Sequence, residues 1–143
     1  MRLFAYGTLM AAAGFRSVLG DRAAGLRFQP ARLAGWKRAW NAYRPDWDGA
    51  VLNIEPDPDG VVVGVLVDGL AELDWALLDD QERTHLPRER VSVELDGGKR
   101  VPAETYRMRN ASYRGARSPR YEATVRERAR AAGEEVFQNL LLP

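Results

Sequence analysis

Two apolar runs separated by Pro-Asp-Pro-Asp-Gly, in GAVLNIEPDPDGVVVGVLV (residues 49–67), constrain the fold of this chain most. Runs this short and this rich in valine read as strands, and the proline, aspartate and glycine between them read as a turn. The stretch therefore predicts a hairpin of Ala50–Ile54 and Val61–Val67. A second hairpin is predicted in RVSVELDGGKRVPAETYRM, where Val91, Val93 and Leu95 alternate with Ser92 and Glu94. There Asp96-Gly97-Gly98 turns the chain and Val101–Tyr106 returns. Arg2–Tyr6 reads as a short first strand, and Ala31–Trp40 as another, with Gly35 marking a bulge.

Helices fill the gaps. GLAELDWALLDDQER places Leu70, Leu73 and Leu77 at helical spacing. SPRYEATVRERARAAG carries a start signal at Ser118-Pro119 and a stop at Gly133. A last amphipathic segment, Glu134–Leu142, offers Val136, Phe137, Leu140 and Leu141. Hairpins with helices between and after them define an α+β fold. The length of 143 residues, without repeat or linker, fits one domain over 1–143.

Composition excludes several chemistries. The chain has no cysteine, so it has neither disulfide nor thiol nucleophile, and its single histidine, His85, cannot form a two-histidine metal site. Lys and Arg number 21 against 20 Asp and Glu, which gives no basis for nucleic-acid or membrane binding. No segment approaches the ~20 apolar residues of a membrane span. The opening run is too short, and too soon broken by Tyr6, Gly7 and Thr8, to read as a signal peptide. A cytoplasmic protein is expected.

Two stretches carry chemistry. Tyr6-Gly7-Thr8-Leu9 follows the first strand and is either a plain turn or a loop whose amides face a ligand. In the central helix, Trp75, Leu78 and Glu82 share one side, so Glu82 continues an apolar stripe. Spacing leaves two readings of Glu82. One is a solvated or salt-bridged group at a helix end, beside Arg83 and before Pro87. The other is a desolvated carboxyl whose pKa rises toward neutrality, as a general acid/base requires.

FAYGTLM and LLDDQERTHLPRERVSV, in this order with Gly64 between them and the SPRY segment after, resemble the gamma-glutamylcyclotransferase-like family. The resemblance spans nearly the whole chain. It implies a small mixed β-barrel flanked by helices, and an enzyme that needs no metal or cofactor. The implied reaction is intramolecular aminolysis of a γ-glutamyl amino acid or γ-glutamyl amine, giving 5-oxoproline and a released amine. By the family's Leu-Asp-x-x-Glu segment, Glu82 is the acid/base. Tyr6, Gly7, Thr8 and Leu9 match the loop that holds the substrate. Tyr121 is placed near the pocket by the resemblance, while its position alone fits a tyrosine anchoring a helix N-terminus.

The chain departs from the family beside the site. Arg83 stands where family members often have glycine, and Leu86 where they often have an aromatic, while Arg88 keeps the arginine position. YGTL resembles the gamma-glutamylamine branch, and LDDQE and SPRY resemble the branch acting on γ-glutamyl amino acids. The leaving group therefore stays open. So do two rivals in the same fold: binding of a small metabolite or protein without turnover, and amide hydrolysis. His85 reads as structural or solvent-facing, and Arg114, Arg117 and Arg120 as a solvated loop. Trp36 and Trp40 share strand parity and with Tyr43 and Trp47 read as core packing or a pocket wall.

Overall fold

The computed structural model describes residues 1–142. It contains strands β1 (Leu3–Ala5), β2 (Arg27–Arg44), β3 (Gly49–Asp68), β4 (Glu89–Glu94) and β5 (Arg100–Thr105). Its helices are α1 (Ala12–Leu19), α2 (Glu72–Gln81), α3 (Pro119–Ala132) and α4 (Glu134–Leu140). The strands close into a barrel in the order β1-β3-β2-β4-β5. The closing pair, β1 with β5, is parallel, and the other pairs are antiparallel. This is the mixed α+β barrel expected from the sequence.

The predicted hairpin at Pro-Asp-Pro-Asp-Gly is wrong. Both apolar runs belong to the single strand β3, and both pair with β2, from Arg27↔Asp68 through Trp36↔Pro56 to Arg44↔Gly49. Pro56–Gly60 makes a bulge rather than a reversal, because the register jumps from Ala34↔Val61 to Trp36↔Pro56 and leaves Asp57–Gly60 opposite Gly35. An 18-residue β2 supplies partners for both halves of β3, so neither half needs the other. The true reversal lies at Pro45–Asp48, where the amides of Trp47 and Asp48 donate to the Arg44 carbonyl at 3.1 and 3.0 Å. The β4–β5 hairpin forms as predicted, with Leu95 N–H donating to Lys99 O at 2.8 Å.

The leucine stripe expected on α2 also fails. Leu73 is 55% exposed and Leu77 37%, whereas Asp74, Trp75 and Leu78 are buried. Asp74 takes an inward position because it caps its own helix, accepting from Ala71 N–H at 2.8 Å and from Arg22 Nε at 2.6 Å. Helix α3 starts as its sequence predicts: Ser118 Oγ accepts from Tyr121 N–H at 3.1 Å, and Pro119 occupies the first turn. It stops at Gly133, whose φ is 131°.

These lengths position the site. β1 is three residues long and, along β3, pairs only with Val65–Val67. The first half of β3 and the last half of β2 therefore run past its end. The loop after β1, the end of α2 and the start of α3 meet there.

Candidate active site

The Tyr6–Leu9 loop is held from behind and left open in front. Arg38 Nε donates to the Tyr6 carbonyl at 3.0 Å, and the same guanidinium donates to Val63 O at 2.8 Å and Asn139 Oδ1 at 2.6 Å. Tyr6 Oη donates to Tyr106 O at 2.6 Å. A single 3-10 turn follows, closed by Met10 N–H on Gly7 O at 3.2 Å. The amides of Gly7, Thr8 and Leu9 have no acceptor among the described residues, as is usual for the first donors of any helical turn.

Glu82 stands at the C-terminal end of α2, where its amide closes the last turn on Leu78 O at 2.8 Å. Its Oε2 accepts from Arg44 Nη1 at 2.7 Å, and both side chains are only 13% exposed. Arg44 reaches Glu82 because β2 ends there. Burial, the larger effect, pushes the Glu82 carboxyl above its ordinary value, and the Arg44 guanidinium opposes it. Glu82 is thus salt-bridged and also desolvated. The ion pair of one reading and the desolvation of the other are both present at this side chain.

One pocket, with about 460 Å³ of atom-free space, joins these parts. Tyr6, Gly7, Thr8 and Leu9 form one wall, and Glu82, Arg44, His85, Tyr106 and Tyr121 line the rest. Every site residue predicted from the sequence is there. Tyr121 satisfies both of its readings, since its amide is capped by Ser118 and its ring lines the pocket. The hydroxyls of Tyr6, Tyr106 and Tyr121 are all pushed up, chiefly by burial. The three residues therefore line the pocket as neutral phenols, with the Tyr106 hydroxyl donating to Asp79 Oδ1 at 2.7 Å.

The expectation for His85 was incomplete. It is buried rather than solvent-facing, and it lines the pocket. Burial, helped by Arg44, pushes its ring down to about 4, so it is neutral at neutral pH. Its Nδ1 lies 2.9 Å from Thr84 Oγ1. Arg44 and Tyr106 were missed altogether. Misplacing the reversal hid Arg44, because only the Pro45–Asp48 turn brings the end of β2 to the end of α2. Tyr106 lies just past a correctly predicted strand, and no local signal distinguishes it.

None of the four aromatic residues Trp36, Trp40, Tyr43 and Trp47 lines this pocket. Trp40 and Trp47 pack edge-on against Tyr121, with ring centroids 5.8 and 5.1 Å away, and brace it from outside. Tyr43 packs on Tyr113, and Trp36 lies under Arg107. Arg114, Arg117 and Arg120 are exposed as expected, with Arg117 and Arg120 stacked on Trp40 and Trp47. Among the described residues no three His, Asp or Glu side chains gather as a metal-ligand set. No helix among them is long and apolar enough to cross a membrane.

Residues 3–126 match the model of the family described as gamma-glutamyl cyclotransferase, AIG2-like, and the chain belongs to that family. Among solved structures it is similar to an uncharacterized protein from Homo sapiens, with a TM-score of 0.81 and 23% identity over 97% of this chain and 83% of that one. It is similar to a gamma-glutamyl cyclotransferase, with a TM-score of 0.80 and 21% identity over 98% and 84%. A glutathione-specific gamma-glutamyl cyclotransferase from yeast is more distant, with a TM-score of 0.62 and 14% identity over 90% and 86%. At these identities the likeness shows the fold. Among curated proteins no sequence matches the chain.

Proposed function

We propose that this protein is a cyclotransferase that converts a small-molecule γ-glutamyl amino acid or γ-glutamyl amine to 5-oxoproline. One observation carries the reading: a desolvated carboxylate, Glu82, and a loop, Gly7–Leu9, whose amides have no acceptor among the described residues line the same small pocket. The family supports the class of reaction, and the pocket supplies the parts that reaction needs.

The donor's α-ammonium must lose a proton before it attacks. Glu82 Oε2 is engaged by Arg44, which leaves Oε1 to take that proton. A carboxyl whose proton affinity is raised by burial is the stronger base. The α-nitrogen then bonds to the γ-carbonyl carbon, and the carbonyl oxygen becomes an oxyanion. Loop amides that spend no hydrogen bond on the protein can meet either that oxyanion or the donor's carboxylate. Collapse re-forms the carbonyl and breaks the bond to the leaving nitrogen, which takes the first proton back from Glu82. The ring nitrogen passes its second proton to the released amine, which departs as an ammonium. The ring closes within one molecule, and well-oriented intramolecular reactions reach effective molarities of roughly 10⁵ M or more. A base and an oriented loop therefore suffice.

The test is product identity across a panel of γ-glutamyl amino acids, γ-glutamyl amines and glutathione. Release of 5-oxoproline supports the reading, and the preferred donor names the leaving group. Free glutamate in its place would mean hydrolysis. Binding by thermal shift with no product would mean a binding protein in this fold.

A further inference from the structure

The Pro45–Asp48 turn sets Glu82 as well as reversing the chain. Arg44 lies between two carboxylates. Its Nε and Nη2 donate to Asp46 Oδ1 and Oδ2 at 3.2 and 3.1 Å, and Nη1 donates to Glu82 Oε2 at 2.7 Å. Nη2 also donates to Gln81 O at 3.2 Å. The turn is fixed from outside by Arg120, whose Nη2 donates to the Asp46 carbonyl at 2.6 Å while the guanidinium stacks on Trp47.

A guanidinium offers its donors as a rigid fork, and its strongest bond to a carboxylate is the two-point one that occupies both oxygens. In this protein Asp46 holds one two-donor edge of the fork. Glu82 receives a single contact on a single oxygen. We propose that Asp46 is a positioning residue: by holding the Nε/Nη2 edge of Arg44, it confines Arg44 to Oε2 of Glu82 and leaves Oε1 free to exchange a proton with a bound amine. The proposal rests on the reading of Glu82 as the acid/base. The other titratable groups facing Glu82 are the hydroxyls of Tyr6, Tyr106 and Tyr121 and the ring of His85, all lining the same pocket. They are neutral near neutral pH, so Arg44 and Asp46 are the charges that act on Glu82 there.

Asp46 is half exposed, with 51% of its side chain accessible, and a surface ion pair adds little stability. Asp46→Asn should therefore fold as the parent does. The experiment titrates the Glu82 side-chain carboxyl by carbon-13 NMR, without substrate, in wild type, Asp46→Asn, Arg44→Met and the double variant. Asp46→Asn should lower the Glu82 midpoint, because Arg44 is released to grip both oxygens. Arg44→Met should raise it, and on that background Asp46→Asn should move it less, because only the direct repulsion between Asp46 and Glu82 is then left to remove. A shift of undiminished size there would overturn the proposal.

The acid limb of the 5-oxoproline rate should follow the same order. In Asp46→Asn kcat should fall on the order of tenfold, less than the ~10²–10⁴-fold that removing a general base costs. An unmoved midpoint in Asp46→Asn would overturn the proposal. So would a fall of the midpoint in both single variants, the mark of a merely loosened Glu82. Wild-type protein that makes no 5-oxoproline overturns the reaction instead, and the midpoints still decide the role of Asp46.

Discussion

The Tyr121 hydroxyl lies 2.7 Å from the position that a side-chain carbon on residue 7 would occupy. Glycine is what lets the pocket wall and the first turn of α3 meet. A side-chain carbon on residue 7 would collide with that hydroxyl, so space at the wall requires glycine there.

Gly7→Ala should therefore displace either the loop or Tyr121. A shift of about 1 Å in a positioning group costs on the order of 10²-fold in rate, and kcat/KM should fall accordingly. Adding Tyr121→Phe should recover part of the loss, judged against Tyr121→Phe alone. The next nearest atom of that ring, Cζ, is 3.9 Å from the new carbon, an ordinary contact. Kinetics on the four proteins check this. A fully active Gly7→Ala, or a double variant with no recovery, would contradict it.

His85 should make stability depend on pH. Its ring is pushed from 6.5 down to about 4 in the folded protein, by burial and then by Arg44. Between those values the unfolded chain binds more protons than the native one. The stability it contributes is thus fully present above about 6.5, and is lost as pH falls toward 4. The loss is on the order of 3 kcal/mol. Urea denaturation at several pH values, for wild type and His85→Gln, isolates this group. The variant should lose less stability on acidification, and parallel curves would refute the assignment.

Asn139 should matter to folding more than its place in a short terminal helix suggests. Its side chain bonds Val63 N–H at 2.9 Å and Val61 O at 3.0 Å, and accepts from Arg38 Nη1 at 2.6 Å. Arg38 has only neutral acceptors, three oxygens and the Met10 sulfur, and burial lowers its pKa to about 10, so it remains charged at neutral pH. Asn139→Ala removes one acceptor from this cation and two bonds from the β3 backbone. A loss of about 2–4 kcal/mol is expected by urea denaturation, since bonds to charged groups exceed neutral ones. A change under about 0.5 kcal/mol would contradict the clamp.

The residues that line the pocket were legible through the family resemblance, while local spacing gave only the shared side of one helix. Trp75, Leu78 and Glu82 share one helix side by spacing alone, and Gly7 marks a close approach whatever the fold around it. The β4–β5 hairpin was equally legible, since its turn and its pairing partners are neighbours in sequence. The failures were of long range. Pro56–Gly60 has turn chemistry, but whether it turns depends on whether β2 is long enough to pair with both flanks. The Leu73 and Leu77 spacing lost to a polar residue, Asp74, which turned inward to cap its helix and meet Arg22. Arg44 and Glu82 are 38 residues apart, and only the barrel's closure and the position of its reversal bring them together.

The central claim is that Glu82 moves the proton in a ring-closing reaction. It is tested most directly by the rate of 5-oxoproline formation from the preferred γ-glutamyl donor, in wild type and in Glu82→Gln. Glutamine keeps the shape and can still accept from Arg44, but it cannot take a proton from the amine. The account predicts a kcat lower by ~10²–10⁴-fold in Glu82→Gln, with the melting temperature preserved. Equal rates in the two proteins would remove Glu82 from the chemistry and contradict it.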